Sequence, residues 1–151
     1  MLSKTAVHTV TALAVLAEQS PGAFVGAGQL ARETDAPQNY LGKLLQDMAD
    51  RGLLESQKGK GGGFRLVRNP SDISLFEVVD PVDHVSRWSG CFLGRNQCTD
   101  DEPCSLHGRW KGVRDAYLEF LRGTTVADVV RTRDGRLALT GHETGLNPTW
   151  G

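Results

Sequence analysis

Residues 53–67, LLESQKGKGGGFRLV, place the tightest constraint on how this chain of 151 residues can fold. LLES and FRLV have strand-like composition and flank a turn filled with lysine and glycine, so a β-hairpin is expected. The segments upstream say what the hairpin belongs to. PQNYLGKLLQDMADRG, residues 37–52, is amphipathic: Tyr40, Leu41, Leu44, Leu45 and Met48 line one face. Gln38, Asn39, Gly42, Lys43, Gln46 and Asp47 lie largely on the other. Asp35 reads as the N-cap of this helix, Pro37 falls in its first turn, and Gly52 suits the position past its end. A short helix is expected at about 26–33, GAGQLARE, with TDAP as the turn between the two. Residues 3–18 read as a helix apolar over most of its circumference, richest at Ala6, Val7, Val10, Leu13, Ala14, Leu16 and Ala17, and such a helix is a buried one. SPGAF breaks it. Helix, short helix, sharp turn and third helix is the order of a helix-turn-helix. A hairpin directly after the third helix is the wing of a winged helix. The expected class is therefore mainly α with a small β-hairpin wing.

Charge points the same way. The chain as a whole is nearly neutral, with 17 Lys and Arg against 18 Asp and Glu. Any contact with nucleic acid must draw on a local concentration. Between residues 51 and 68 the cations are Arg51, Lys58, Lys60, Arg65 and Arg68 and the anion is Glu55, a net of +4. A recognition helix enters the major groove and reads base edges from its N-terminal end. Here that end presents Gln38, Asn39 and Tyr40, with Lys43 one turn on. Gln and Asn can pair bidentately with adenine, and lysine can reach guanine or phosphate. Lys58, Lys60 and Arg65 are expected on phosphate or in the minor groove, with GKGGG letting the backbone come close and turn tightly. Alone, KGKGGG would read as a solvated loop; the helix-turn-helix pattern before it outweighs that.

Further along, SDISLFEVVD reads as a helix capped by Ser71, Asp72 or Ser74. A long amphipathic helix is expected over 105–122, with Leu106, Trp110, Val113, Tyr117, Phe120 and Leu121 recurring at steps of three and four. Such a stripe needs a partner surface, and a second copy of the chain is the economical one. TTVADVV reads as a short last helix. The expected organisation is a winged helix-turn-helix over 1–80, a cysteine-containing loop over 81–104, a dimerisation helix with a short C-terminal helix over 105–131, and a polar, aperiodic, mobile tail over 132–151. Hydrophobic residues make up 39%, too few for a membrane protein. The first residues mimic a secretory signal, but His8, several threonines and the helical period favour a folded helix. A cytoplasmic protein with reduced thiols is expected.

All three cysteines fall in GCFLGRNQCTDDEPCSLHGRW, residues 90–110. Buried structural cysteines scatter through a core; these crowd into a polar loop, and their odd number argues against a disulfide framework. Cys91 and Cys98 are separated by six residues, Cys98 and Cys104 by five, and Cys104 and His107 by two. Neither the paired spacing of a zinc finger nor a CxxC knuckle is there. Wider spacing in a loop suits an iron–sulfur cluster, with Cys91, Cys98 and Cys104 as thiolates and His107, one turn into the next helix, as a fourth ligand. Zinc, a metal-free thiol switch, and a His107 that merely caps its helix are the competing readings. A thiol oxidoreductase is disfavoured by the absence of CxxC and of a base–nucleophile pair.

YLGKLLQDMADRGLLES, then KGKGGGFRLVRNPSDISLFEVVD, then three cysteines and a long helix resemble the IscR/NsrR-type winged-helix regulators, over about residues 1–131. The resemblance implies a homodimer crossed by the long helix, promoter DNA bound by paired winged helices, and a cluster near the dimer interface. It implies that Cys91, Cys98 and Cys104 hold that cluster, [2Fe-2S] in the branch where a histidine like His107 is fourth ligand, with [4Fe-4S] the alternative. In the nitric-oxide-sensing branch the fourth ligand comes from the partner's first helix, where this chain has His8. His8 is thus a candidate cross-subunit ligand, although it departs from the acidic residue of that branch. The implied function is a transcriptional regulator whose promoter affinity follows redox, nitric oxide or iron–sulfur status, not an enzyme. Members without cysteines bind DNA cluster-free, which keeps a cluster-free or zinc-containing regulator as the alternative.

Overall fold

The computed structural model describes residues 1–95 and 99–130. Cys98 and the tail expected over 132–151 lie outside the described residues.

Helix α1, Lys4–Ala17, is the hub. Ser3 caps it by accepting from the Ala6 N–H, and Ser3 itself donates N–H to Asp83 Oδ2 at 2.8 Å. Val10, Leu13, Ala14, Val15 and Leu16 are all buried, because helices on several sides cover the apolar circumference read from the sequence. Helix α2 spans Ala27–Thr34 and α3 spans Gln38–Asp50, and both pack on α1. Asp35 does not cap α3, contrary to the expectation. It closes α2 in the left-handed region, φ 53°, with its N–H on the Ala31 carbonyl, and Pro37 takes the N-cap place of α3. A turn this short leaves no residue to spare, and aspartate tolerates the left-handed conformation better than most.

Helix α3 ends as its glycine foretold. Gly52, φ +79°, donates to the Ala49 carbonyl at 3.0 Å and Leu53 to that of Met48 at 3.0 Å. This paired return closes the helix and turns the chain straight into the hairpin. Strands β1, Leu54–Gln57, and β2, Gly63–Leu66, pair antiparallel from Leu54↔Leu66 to Gln57↔Gly63.

The hairpin is also fastened to the body. Val25, just before α2, exchanges backbone hydrogen bonds with Phe64 at 2.9 and 2.8 Å. At Gly63, φ +141°, a Cβ would stand 2.2 Å from the Val25 carbonyl oxygen. The glycine is therefore needed for close approach within the protein, whereas the sequence suggests close approach to DNA and a tight turn.

A 3-10 turn, Pro70–Asp72, precedes α4, Leu75–Asp83. Of the three candidate caps, Ser74 serves, in a capping box with Glu77. A second 3-10 turn covers Val85–Ser89. Helix α5 runs His107–Gly123, and α6, Val126–Val130, returns to α1. Leu75 and Val126 tie the starts of α4 and α6 together through the carbonyls of Thr124 and Ile73. The chain is mainly helical with a two-stranded wing, as expected.

Candidate nucleic-acid interface and cysteine loop

Leu41, Leu45 and Met48 are wholly buried and fix which face of α3 looks outward. Gln38, Asn39 and Lys43 are exposed on it. Tyr40 is not: it is half-buried, donates its hydroxyl to Thr5 Oγ1, and meets the His8 ring edge-on at 6.1 Å. Tyr40 thus ties the first turn of α3 to α1. A Cβ on Gly42 would meet nothing within 4 Å, so the fold does not demand this helix-interior glycine.

The wing's cations divide into two kinds. Lys58 and Lys60 are exposed at the hairpin tip and make no ion pair among the described residues. Arg65 faces Glu55 across the strand pair at 2.6 Å, donates to the Gly22 carbonyl, and lies 4.5 Å from the Phe24 ring centre. Arg68 pairs with Glu77 at 2.7 Å and Arg51 with Asp47 at 2.9 Å. The uncompensated charge of the +4 stretch therefore sits at the tip, and Arg65 braces the wing's base against the loop after α1.

Cys91 and Cys104 are half-buried at opposite ends of the loop. The Cys91 thiol accepts from the Leu93 N–H at 3.4 Å, and the Cys104 carbonyl accepts from the His107 N–H at 3.0 Å. Helix α5 grips this loop twice. Trp110 donates its indole N–H to the Gly90 carbonyl at 3.1 Å, with Phe92 5.1 Å from its ring and Trp88 beyond. His107 Nε2 lies 3.0 Å from Asp100 Oδ1, and Lys111 binds the same carboxylate at 3.0 Å. The His107 hydrogen bond, then that of Lys111, holds the Asp100 carboxyl below the usual carboxylate range. No three His, Cys, Asp or Glu side chains gather as a metal-holding group among the described residues, and Cys98 is not among those.

His8 is 8% exposed, with Nδ1 buried and lacking a hydrogen-bond partner among the described residues. Burial, then the Lys4 charge, lowers its pKa from 6.5, with Asp35 opposing. On α5 the apolar stripe splits. Leu118 and Leu121 are buried, and Tyr117 stacks on Trp88 at 5.2 Å. Leu106, Val113 and Phe120, each seven residues from the next, are 37%, 64% and 56% exposed. Asp100 and the Trp88 contact escape sequence reasoning, since no local pattern joins a loop carboxylate or a turn indole to a later helix.

A family model described as Rrf2, "Iron-dependent Transcriptional regulator", matches residues 2–132. Protein aau3 of Rhizobium meliloti is 32% identical over 121 residues, covering 80% of this chain and 79% of that protein. The HTH-type transcriptional regulator IscR of Escherichia coli is 27% identical over 127 residues, covering 84% of this chain and 78% of its own length. The structure of CymR, the global cysteine regulator of B. subtilis, superposes with a TM-score of 0.69 at 22% identity, over 85% of this chain and 94% of that one, which shows the shared fold. No helix among the described residues is long and apolar enough to cross a membrane.

Proposed function

This chain belongs to the Rrf2 family of DNA-binding transcriptional regulators, and from that premise we propose that it is a homodimer whose grip on promoter DNA is set by an iron–sulfur cluster in the 91–107 loop. The observation that carries the reading is the double fastening of that loop to the first turns of α5 by Trp110 and by His107 with Lys111. Whatever reorders the loop must act on α5, and α5 presents the bare stripe of Leu106, Val113 and Phe120 to a second copy.

The donor set suits the cofactor. Cys91, Cys98 and Cys104 would supply soft thiolates and His107 an imidazole, and Phe92, Trp110 and Trp88 form an aromatic cluster at the Gly90 end of the loop. When bound, the group would add a redox-sensitive link across the loop, [2Fe-2S] being favoured over [4Fe-4S]. His107, already on the loop side of α5, is the better fourth ligand; His8 is covered by Tyr40 and serves α1–α3 packing.

Gln38, Asn39 and Lys43 would read base edges from the outer face of α3, while Lys58 and Lys60 contact phosphate. Tyr40 and Arg65 belong to the same interface as the residues that hold α3 and the wing in place. A tenfold change in operator affinity needs about 1.4 kcal/mol, within reach of one loop's ordering.

Anoxic purification followed by absorption spectroscopy and gel-shift titration tests the proposal. The expected protein is coloured, and Cys98→Ala loses both the colour and the cofactor-dependent difference in operator affinity. Colourless, iron-free protein that binds its operator as well as any reconstituted sample would favour the cluster-free or zinc-containing regulator.

A further inference from the structure

His107 turns one of its ring nitrogens to a loop carboxylate. Nε2 lies 3.0 Å from Asp100 Oδ1, and both oxygens of that carboxylate receive Lys111 Nζ at 3.0 Å. His107 and Lys111 are one turn apart on α5, so the carboxylate bridges two adjacent positions of the same helix face. The imidazole is 16% exposed and the carboxylate 73%: the ring is tucked under the loop and the acid closes it from outside. A nitrogen that donates its proton to a carboxylate cannot also bind a metal. Histidine ligands characteristically give their second N–H to such a partner, which fixes the tautomer and strengthens the donor.

We propose that Asp100 is the positioning residue for His107. Braced by Lys111, it accepts the hydrogen bond of a protonated Nε2 and so leaves Nδ1 as the nitrogen offered to the cysteine loop's cofactor. The inference rests on the iron–sulfur reading and adds a residue that lies between two of the thiols, at 98 and 104, in the same loop. Displacement of the loop would then move the orienting acid together with the thiolates, so that the histidine loses its alignment at the same time.

The test uses full-length protein carrying histidine labelled with nitrogen-15 at Nδ1 alone or at Nε2 alone. After reconstitution with ferrous iron and sulfide under argon, pulsed electron paramagnetic resonance of the reduced sample should show the strong, directly bonded coupling change with the Nδ1 label. Asp100→Ala should lose iron to a chelator about 10–100-fold faster than the parent, Asp100→Glu should largely restore retention, and Lys111→Met should fall between. In metal-free protein, the nitrogen shifts of His107 should report an Nε2-protonated ring that becomes a tautomer mixture in Asp100→Ala. Strong coupling from the Nε2 label, or an Asp100→Ala variant with parental tautomer and parental iron retention, would overturn the assignment. A parent that takes up no chromophore would instead overturn the iron–sulfur reading beneath it.

Discussion

Replacing Gly63 by alanine should loosen the wing from the body without disturbing the helices. The new Cβ would stand 2.2 Å from the Val25 carbonyl oxygen and 2.7 Å from the Gly26 nitrogen, both backbone atoms that cannot rotate away. Relief requires β2 to withdraw, which breaks the two Val25–Phe64 hydrogen bonds of 2.9 and 2.8 Å. Each is worth about 0.5–1.5 kcal/mol net. Alanine at a φ of +141° adds roughly 1–3 kcal/mol of backbone strain. A loss of about 3–4 kcal/mol is expected, or roughly 10–15 °C in Tm for a domain of this size. Gly42→Ala supplies the opposite sign. Its Cβ meets nothing within 4 Å, so helix propensity alone should raise stability by about 1 kcal/mol. Urea and thermal unfolding followed by circular dichroism measure both, and a gel shift well below the melting range should show weaker operator binding for Gly63→Ala. A Gly63→Ala protein melting within about 3 °C of the parent would refute the brace between β2 and Val25.

Lys58→Ala with Lys60→Ala should lower the slope of log affinity against log salt by about 0.9 for each phosphate that the wing no longer neutralises, as read from filter binding at graded salt. Val113→Glu with Phe120→Glu should convert a dimeric mass to a monomeric one by light scattering; an unchanged dimer would move the interface off α5. His8 has a pKa lowered in the fold from 6.5, chiefly by burial, so the unfolded chain takes up its proton more readily. Below about pH 6.5 this protonation favours unfolding, the stability loss growing until the folded-state pKa is passed. His8→Leu should flatten that part of the urea-midpoint profile against pH, and a profile that keeps its parental fall would acquit His8.

The helices and the hairpin are legible in the sequence because their signals are local. The period of Leu41, Leu45 and Met48, the stop at Gly52 and the glycine-rich turn each act within a few residues. Asp35 misleads for a local reason as well: aspartate serves equally as the first residue of one helix and the left-handed last residue of another, and only the length of the turn decides. What the sequence hides is long-range. Arg65 looks like one more wing cation, but Glu55, Gly22 and Phe24 occupy it. The apolar residues of α5 form one stripe on paper; in the fold Tyr117 stacks on Trp88 and Leu121 is buried, while Val113 and Phe120 stay bare. The cysteines and His107 are proposed as ligands from composition and spacing, whereas the contact of Asp100 with His107 and Lys111 comes only from where the loop lies against α5.

Two of the three tryptophans, Trp88 and Trp110, stand with ring centres 6.4 Å apart, and Trp110 bonds to Gly90, next to Cys91 in the chain. Light absorbed by either indole is emitted within the neighbourhood of the loop, where a visible chromophore would drain it before it escaped. Under the proposed iron–sulfur reading this pair would serve as an optical gauge: emission excited near the red edge of indole absorption should dim as the loop is loaded and brighten as it empties, in real time and without a dye.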